Sequence, residues 1–178
     1  MIKYFIINGY PRAGKDTFVE FCADYLQGTV VVVNLSTVDF VKRIAKMCGW
    51  NGEKTPKNRE FLSNLKDLLT DWDDVPFKKI LEEIEKQKLN NLGANLFFFI
   101  HCREPKEINK LKSELGASTI FIQRNQDALQ SNHADSDVEL YDYDFYIENN
   151  STLKEFRQKA KDLMEKEIIL MEKEKGGN

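Results

Sequence analysis

Residues Gly9 to Thr17 read GYPRAGKDT, a G-x-x-x-x-G-K string with the chemistry to hold a phosphate chain. Its glycines let the backbone approach an anion without a Cβ in the way. If a helix begins where the string ends, the N–H groups of Tyr10, Pro11's neighbours Arg12 and Ala13, and Gly14 to Thr17 converge on that anion beside the helix's positive end. Lys15 places a point charge against β- and γ-phosphates, and Arg12 adds a second cation within the loop. A Ser or Thr ordinarily follows such a lysine and gives its hydroxyl to Mg²⁺. Here Asp16 follows, with Thr17 one place late. A carboxylate there holds Mg²⁺ directly or through water, and Thr17 is a candidate second ligand. The expected cofactors are ATP and Mg²⁺.

Other charges cluster where a second substrate would lie. Arg103 follows the apolar run 95–101, NLFFFIH, and an unpaired cation at the end of a buried strand is costly. Either an anionic ligand or a carboxylate such as Glu104 or Asp135 must answer it, and the arginine fork suits phosphate. Lys54, Lys57 and Arg59 crowd an expected helix start, where the dipole favours anions. They are candidate contacts to an acceptor phosphate. Asp39 and Lys42 project from one side of an earlier helix, as candidates for the acceptor's other end. Arg124 opens a polar stretch that also holds His133, Asp135 and Asp137, candidates to orient the acceptor or its metal. A zinc site from His101, Cys102 and His133 has no usual ligand spacing.

The elements that must position these residues follow from the apolar pattern. The run 3–8, KYFIIN, is a short buried strand, and Phe18, Phe21, Cys22, Tyr25 and Leu26 form the stripe of a helix. The glycine string therefore joins a strand to a helix. Thr29 to Asn34 is a second strand. A helix capped by Ser36 and Asp39 follows, with Val38, Val41, Ala45 and Cys48 inward and Gly49 at its end. Thr55-Pro56 opens a third helix, with Phe61, Leu62, Leu65, Leu68, Leu69 and Trp72 as its stripe. A fourth spans about Pro76 to Lys88. The third strand is 95–101. A helix from Glu104-Pro105 to Gly116, a fourth strand at 118–123 and a fifth at DFYIEN come next. A last helix turns Leu153, Phe156, Ala160, Leu163, Met164 and Ile168 inward. Strands alternating with helices predict one α/β domain over 1–178, a five-stranded parallel sheet with helices on both faces. Residues 36–92 form a helical insertion at one edge.

The chain has 178 residues, a net charge of −3 and 31% charged residues. That balance argues against a nucleic-acid polymer or a membrane surface as partner, so any anion site is local. Three scattered cysteines suit a reducing cytoplasm rather than a disulfide framework. The apolar start runs straight into the glycine string, unlike a signal peptide.

GYPRAGKDT resembles the loop of one branch of P-loop kinases, in which Gly-Lys-Asp replaces Gly-Lys-Ser/Thr and an R-x-G-K-D string is typical. That branch includes phage-type deoxynucleoside monophosphate kinases and animal-type phosphomevalonate kinases, both similar to adenylate kinase in fold. SDVELYDYDFYIEN looks like the branch's acidic stretch and D-x-x-I-E-N strand. IHCRE looks like its third strand end, where an acid precedes an arginine by two residues. Arg103 matches the arginine, and His101 stands in the acid's place. The resemblance implies phosphoryl transfer from ATP to a small phosphorylated acceptor, first a (deoxy)nucleoside monophosphate, alternatively phosphomevalonate. Lys15, Arg12, Arg103 and Arg124 would neutralise charge, and Asp16, Thr17 and His101 would handle the metal. Residues 36–92 would bind the acceptor through Asp39, Lys42 and Arg59, with Arg103, His133 and Asp135. Residues 124–138 would form a lid. A nucleotide-binding module without turnover is the alternative of another class.

Overall fold

The computed structural model describes residues 1–125 and 141–176. Along them run β1 (Ile2–Asn8), α1 (Lys15–Leu26), β2 (Val31–Ser36), α2 (Asp39–Met47), α3 (Pro56–Asp73), α4 (Val75–Asn90), β3 (Leu96–His101), α5 (Pro105–Leu115), β4 (Ser118–Gln123), β5 (Phe145–Glu148) and α6 (Leu153–Gly176). The strands pair in parallel, in the order β2-β3-β1-β4-β5. The chain lays β2 and β3 on one side of β1 and then crosses to β4 and β5. That reversal opens a crevice at the carboxyl end of β1, the usual ligand position in such sheets.

Side chains alternate across the sheet and divide the core into two layers. Phe5, Ile7, Phe97, Phe99, Ile120 and Ile122 pack with Phe18, Phe21 and Leu26 of α1 and Phe156 and Met164 of α6. Ile6, Leu96, Phe98, Ile100 and Phe121 pack with Ile80 and Ile84 of α4 and Ile108 and Leu111 of α5. Both layers are closed around β3, so its sequence is apolar without alternation. Burial of each such side chain contributes about 1.5–3 kcal/mol. No described helix is long and apolar enough to cross a membrane.

Most helix ends lie where their signals predict. Thr55 Oγ1 accepts from the Asn58 N–H at 3.2 Å, with Pro56 in the first turn of α3. Gly116, at φ 62°, closes α5. The α2 cap differs from expectation. β2 runs through Ser36, whose register partner is His101, so the N-cap falls at Val38. Asp39 still reaches back to accept from the Ser36 N–H at 3.0 Å.

The expected inward stripe of α3 is also corrected. Leu68 is 66% and Trp72 75% exposed, and Phe61 is exposed too. The buried residue of this helix is Lys66, at 6% exposure. α3 packs chiefly on α2 and α4 rather than on the sheet, so Leu62, Leu65 and Leu69 of its stripe are half-buried and none is fully covered. Periodicity identifies an apolar face but not what covers it. Likewise Cys48 and Leu153 lie exposed at helix ends, whereas Phe156, Ala160, Leu163 and Met164 are buried as expected.

Candidate active site

The Gly9–Thr17 loop leaves the sheet at Asn8 and enters α1 at Lys15, wrapping the crevice. Its shape needs left-handed backbone at Arg12, φ 66°, and Gly14, φ 101°. A Cβ on Gly9 would stand 2.4 Å from the Ile122 carbonyl oxygen, so β4 tolerates only glycine there. Several loop carbonyls are occupied by hydrogen-bond donors. Lys15 Nζ donates to the Gly9 and Tyr10 carbonyls at 2.6 and 2.9 Å. Asn149 Nδ2 donates to the Ala13 carbonyl at 2.8 Å. The first intrahelical bond of α1 runs from the Phe18 N–H to the Gly14 carbonyl. The N–H groups before it have no intrahelical acceptor, and no side chain caps them. The uncapped amides of the first turn of α1, with Lys15 Nζ held close by on the loop backbone, are the elements of a phosphate cradle.

Asn8 anchors the start of this loop. It is fully buried, accepts from the Gly9 N–H at 2.8 Å, and donates to the Arg103 carbonyl at 3.1 Å and the Tyr143 hydroxyl at 2.7 Å. One amide thus ties the loop to the end of β3 and to the segment before β5. A polar residue closing an apolar strand before a glycine was the available sequence signal for it. Asn149 belongs to the IEN run that the sequence marks as a motif, with no role attached.

His101, at the end of β3, faces α1. Its Nε2 lies 3.5 Å from Asp16 Oδ1, outside hydrogen-bond geometry, and is buried without a hydrogen-bond partner. Burial pushes the imidazole down to about 4, although Asp16 and Asp39 pull it upward; Lys15 and Lys42 push with the burial. Asp39 and Lys42 therefore act electrostatically on the same corner as Lys15 and Asp16. They pair with each other at 3.1 Å. An orphaned neutral nitrogen beside a carboxylate suits a divalent cation. Among the described residues no three His, Cys, Asp or Glu side chains converge, so phosphate oxygens would complete the shell. The zinc grouping is not formed by its described members: Cys102 turns into the core and donates to Glu107 Oε2 at 3.4 Å, away from Asp16.

Arg12, Gly14, Lys15, Asp16, Thr17, Arg124, Asn149, Ser151 and Leu153 line a cavity of about 370 Å³. Arg124 Nη1 also reaches the Arg12 carbonyl at 3.4 Å. The start of the expected lid is thus joined to the loop; the rest of it, with His133 and Asp135, lies outside the described residues. Ser151 and Leu153 carried no functional signal in the sequence. A larger groove of about 660 Å³ along Lys78 to Asn90 of α4 collects no convergent polar groups and is remote from the loop.

Arg59, within α3, and Arg103, after β3, are both half-buried. Glu104, a candidate partner of Arg103, instead joins Glu107 around Lys66, with Nζ–O distances of 2.5 and 2.7 Å. Burial opposes the Lys66 charge, but the two carboxylates outweigh it and hold the ammonium above its ordinary range. Glu107 is also pushed up, by burial first and then by Glu104. Two carboxylates share one lysine, so the lysine gains from both while the carboxylates repel. This triad ties α3 to the start of α5, one residue beyond Arg103.

No family profile and no curated protein matches this sequence. Solved structures do. A provisionally assigned kinase from Chloroflexus aurantiacus superposes with a TM-score of 0.50 at 13% identity, over 92% of this chain and 96% of that one. Shikimate kinase from Bacteroides thetaiotaomicron gives 0.45 at 12% identity, over 92% and 98%. The first likeness shows a shared fold across nearly the whole chain.

Proposed function

We propose that this chain transfers the γ-phosphoryl group of ATP to a small phosphorylated acceptor, first a (deoxy)nucleoside monophosphate. The observation that carries this is the loop: uncapped amides at the start of α1, Lys15 beside them, and a cavity lined by both together with Arg12, Arg124 and Asn149. The cavity suits the nucleotide, and the fold shared with a provisionally assigned kinase supports the same reading.

An acceptor phosphate oxygen attacks the γ-phosphorus. One P–O bond forms there as the bond to the β–γ bridging oxygen breaks, and that oxygen leaves on ADP. Such a transfer asks for positioning and charge neutralisation more than covalent help. Lys15 moves from the Gly9 and Tyr10 carbonyls to the phosphates. Arg12 and Arg124 flank the chain of charge from the cavity side. Arg103 holds the acceptor phosphate, with Arg59 approaching from α3, and Asp39 and Lys42 meet its other end. A divalent cation, when bound, would supply charge to offset that of the phosphates; Asp16, Thr17 and His101 are the residues that would hold it.

A phosphomevalonate-type acceptor presents the same phosphate to the same arginines. Binding without turnover is favoured by one feature, the imidazole of His101 where the resembling kinases carry an acid. The test is γ-labelled ATP with Mg²⁺ or Mn²⁺ against the ribo- and deoxyribonucleoside monophosphates and phosphomevalonate. A labelled diphosphate from one acceptor supports transfer and names that acceptor. Tight ATP binding with no labelled product from any acceptor supports the binding module.

A further inference from the structure

The corner between β3 and α1 brings two lone-pair donors together from separate core elements. His101 has 16% side-chain exposure, and its Nε2 is shielded from solvent without a hydrogen-bond partner. The nearest charge is Asp16 Oδ1 at 3.5 Å. A charge-assisted N–H···O bond would close to about 2.7–2.9 Å, so the pair is not locked onto itself. Two cis ligands of an octahedral cation with bonds of about 2.1 Å stand about 3 Å apart. The observed separation needs only a small rotation of the Asp16 side chain to meet that spacing.

The backbone around the imidazole is fixed. The Thr37 N–H donates to the His101 carbonyl at 3.1 Å, and the Cys102 N–H donates to the Ile7 carbonyl at 3.3 Å. His101 is also in register with Ile7 of β1 and Ser36 of β2. The nitrogen is therefore presented from the middle of the sheet, while Asp16 sits in the first turn of α1 beside the phosphate cradle.

We propose that Asp16 and His101 together hold the cation that accompanies the nucleotide phosphates, and that this carboxylate–imidazole pair selects Mn²⁺ over Mg²⁺. The proposal rests on the nucleotide-binding role of the loop. Mg²⁺ favours an all-oxygen octahedron and sheds water reluctantly. Imidazole suits transition metals, whereas carboxylate and phosphate oxygens suit Mn²⁺ and Mg²⁺ alike. The sequence has exchanged both usual protein ligands of such a site: the hydroxyl after Lys15 is the carboxylate of Asp16, and the strand-end acid is His101. The exchange keeps one negative charge and replaces one hard oxygen with a nitrogen.

The test uses the full chain with a non-hydrolysable ATP analogue and Mn²⁺ as the probe, read by pulsed electron paramagnetic resonance. Direct imidazole ligation gives a nitrogen modulation that changes from ¹⁴N to ¹⁵N when only histidine is labelled, which separates it from adenine nitrogen. His101→Asp should abolish that modulation. It should also shift the Mn²⁺/Mg²⁺ preference, measured by competition, toward Mg²⁺ by about tenfold or more. His101→Gln serves if the aspartate variant does not fold, and should likewise lose the modulation. A bound analogue with Mn²⁺ and no histidine signal overturns the proposal, as does an unchanged metal preference in a folded His101 variant. If the analogue fails to bind wild-type protein with either metal, the nucleotide role of the loop fails first and takes this proposal with it.

Discussion

The two sides of the crevice are built in different ways. On the loop side, Asn8, Lys15 and Asn149 hold backbone carbonyls and amides at 2.6–3.1 Å, and both glycine positions with a crowded Cβ lie there. The backbone itself is the ligand, so it is fixed from several directions. On the insertion side, α3 fully buries one charged residue, leaves Phe61, Leu68 and Trp72 of its apolar stripe exposed, and only half-buries Leu62, Leu65 and Leu69. Besides its packing on α2 and α4, the Lys66 triad ties it to the start of α5. A generic phosphate chain suits the rigid side. Under the proposed function, acceptor choice would fall to the insertion side, where closing elements need room to move.

The largest expected effect comes from cutting that tether. Lys66→Met leaves Glu104 and Glu107 without their shared cation, and removing one partner of a buried pair costs about 3–5 kcal/mol. Denaturant melts measure the loss. Native thiol titration localises it: Cys48 is exposed and Cys22 and Cys102 are buried, so one thiol reacts in wild type. Cys102, beside Glu107, should become the second in the variant. If Cys102 stays protected and stability is unchanged, the triad is not what holds α3.

Arg103→Lys comes next. It keeps the charge but loses the fork, at about 2–3 kcal/mol, or 30- to 150-fold in acceptor KM or kcat/KM. ATP affinity should change little. A fall in melting temperature with both substrates affected equally would make Arg103 a structural partner instead.

Gly14→Ala probes the rigid side. Alanine at φ 101° is strained, and its Cβ would stand 2.5 Å from Asn149 Nδ2. The strain costs about 1–3 kcal/mol, and the displaced Asn149 releases the Ala13 carbonyl. Calorimetry should show ATP binding weakened at least tenfold while acceptor binding alone persists. Equal losses for both ligands would erase the distinction between the two sides.

The smallest effect is a pH dependence near β5. Burial opposes ionisation of Asp144, but bonds from Lys112 and Thr119 outweigh it and hold the carboxyl below its ordinary range. Its contribution is therefore present above the unfolded carboxyl pKa and is lost as pH falls through the lower folded value. Asp144 is well exposed, so the effect is under about 1 kcal/mol. Asp144→Asn should flatten the stability profile below about pH 4; an unchanged acid limb would mean that these bonds contribute nothing.

The sequence was most legible where local chemistry dictates structure. Glycines flanking a lysine, apolar runs of strand length and a Thr-Pro helix start led to the sheet, the loop and most helix ends. It was less legible where the outcome depends on what a face meets. The α3 stripe reads as core, yet α3 lies beyond the reach of the sheet. Lys66 carries no signal in the sequence, yet it is buried between two carboxylates distant along the chain. Asn8 and Asn149 act through bonds to carbonyls far along the chain, and no spacing rule encodes those distances. His101 was visible as a departure, but its orphaned nitrogen beside Asp16 emerges only when β3 and α1 are set side by side.

The central claim is that the loop around Lys15 delivers a γ-phosphoryl group to an acceptor. A single-turnover reaction with γ-labelled ATP and the best acceptor, run on wild type and on Lys15→Ala of matched circular dichroism and melting temperature, tests it most directly. Labelled acceptor should form with wild type and fall by at least about a hundredfold in the variant. Labelled product at near wild-type rate from folded Lys15→Ala would contradict the claim.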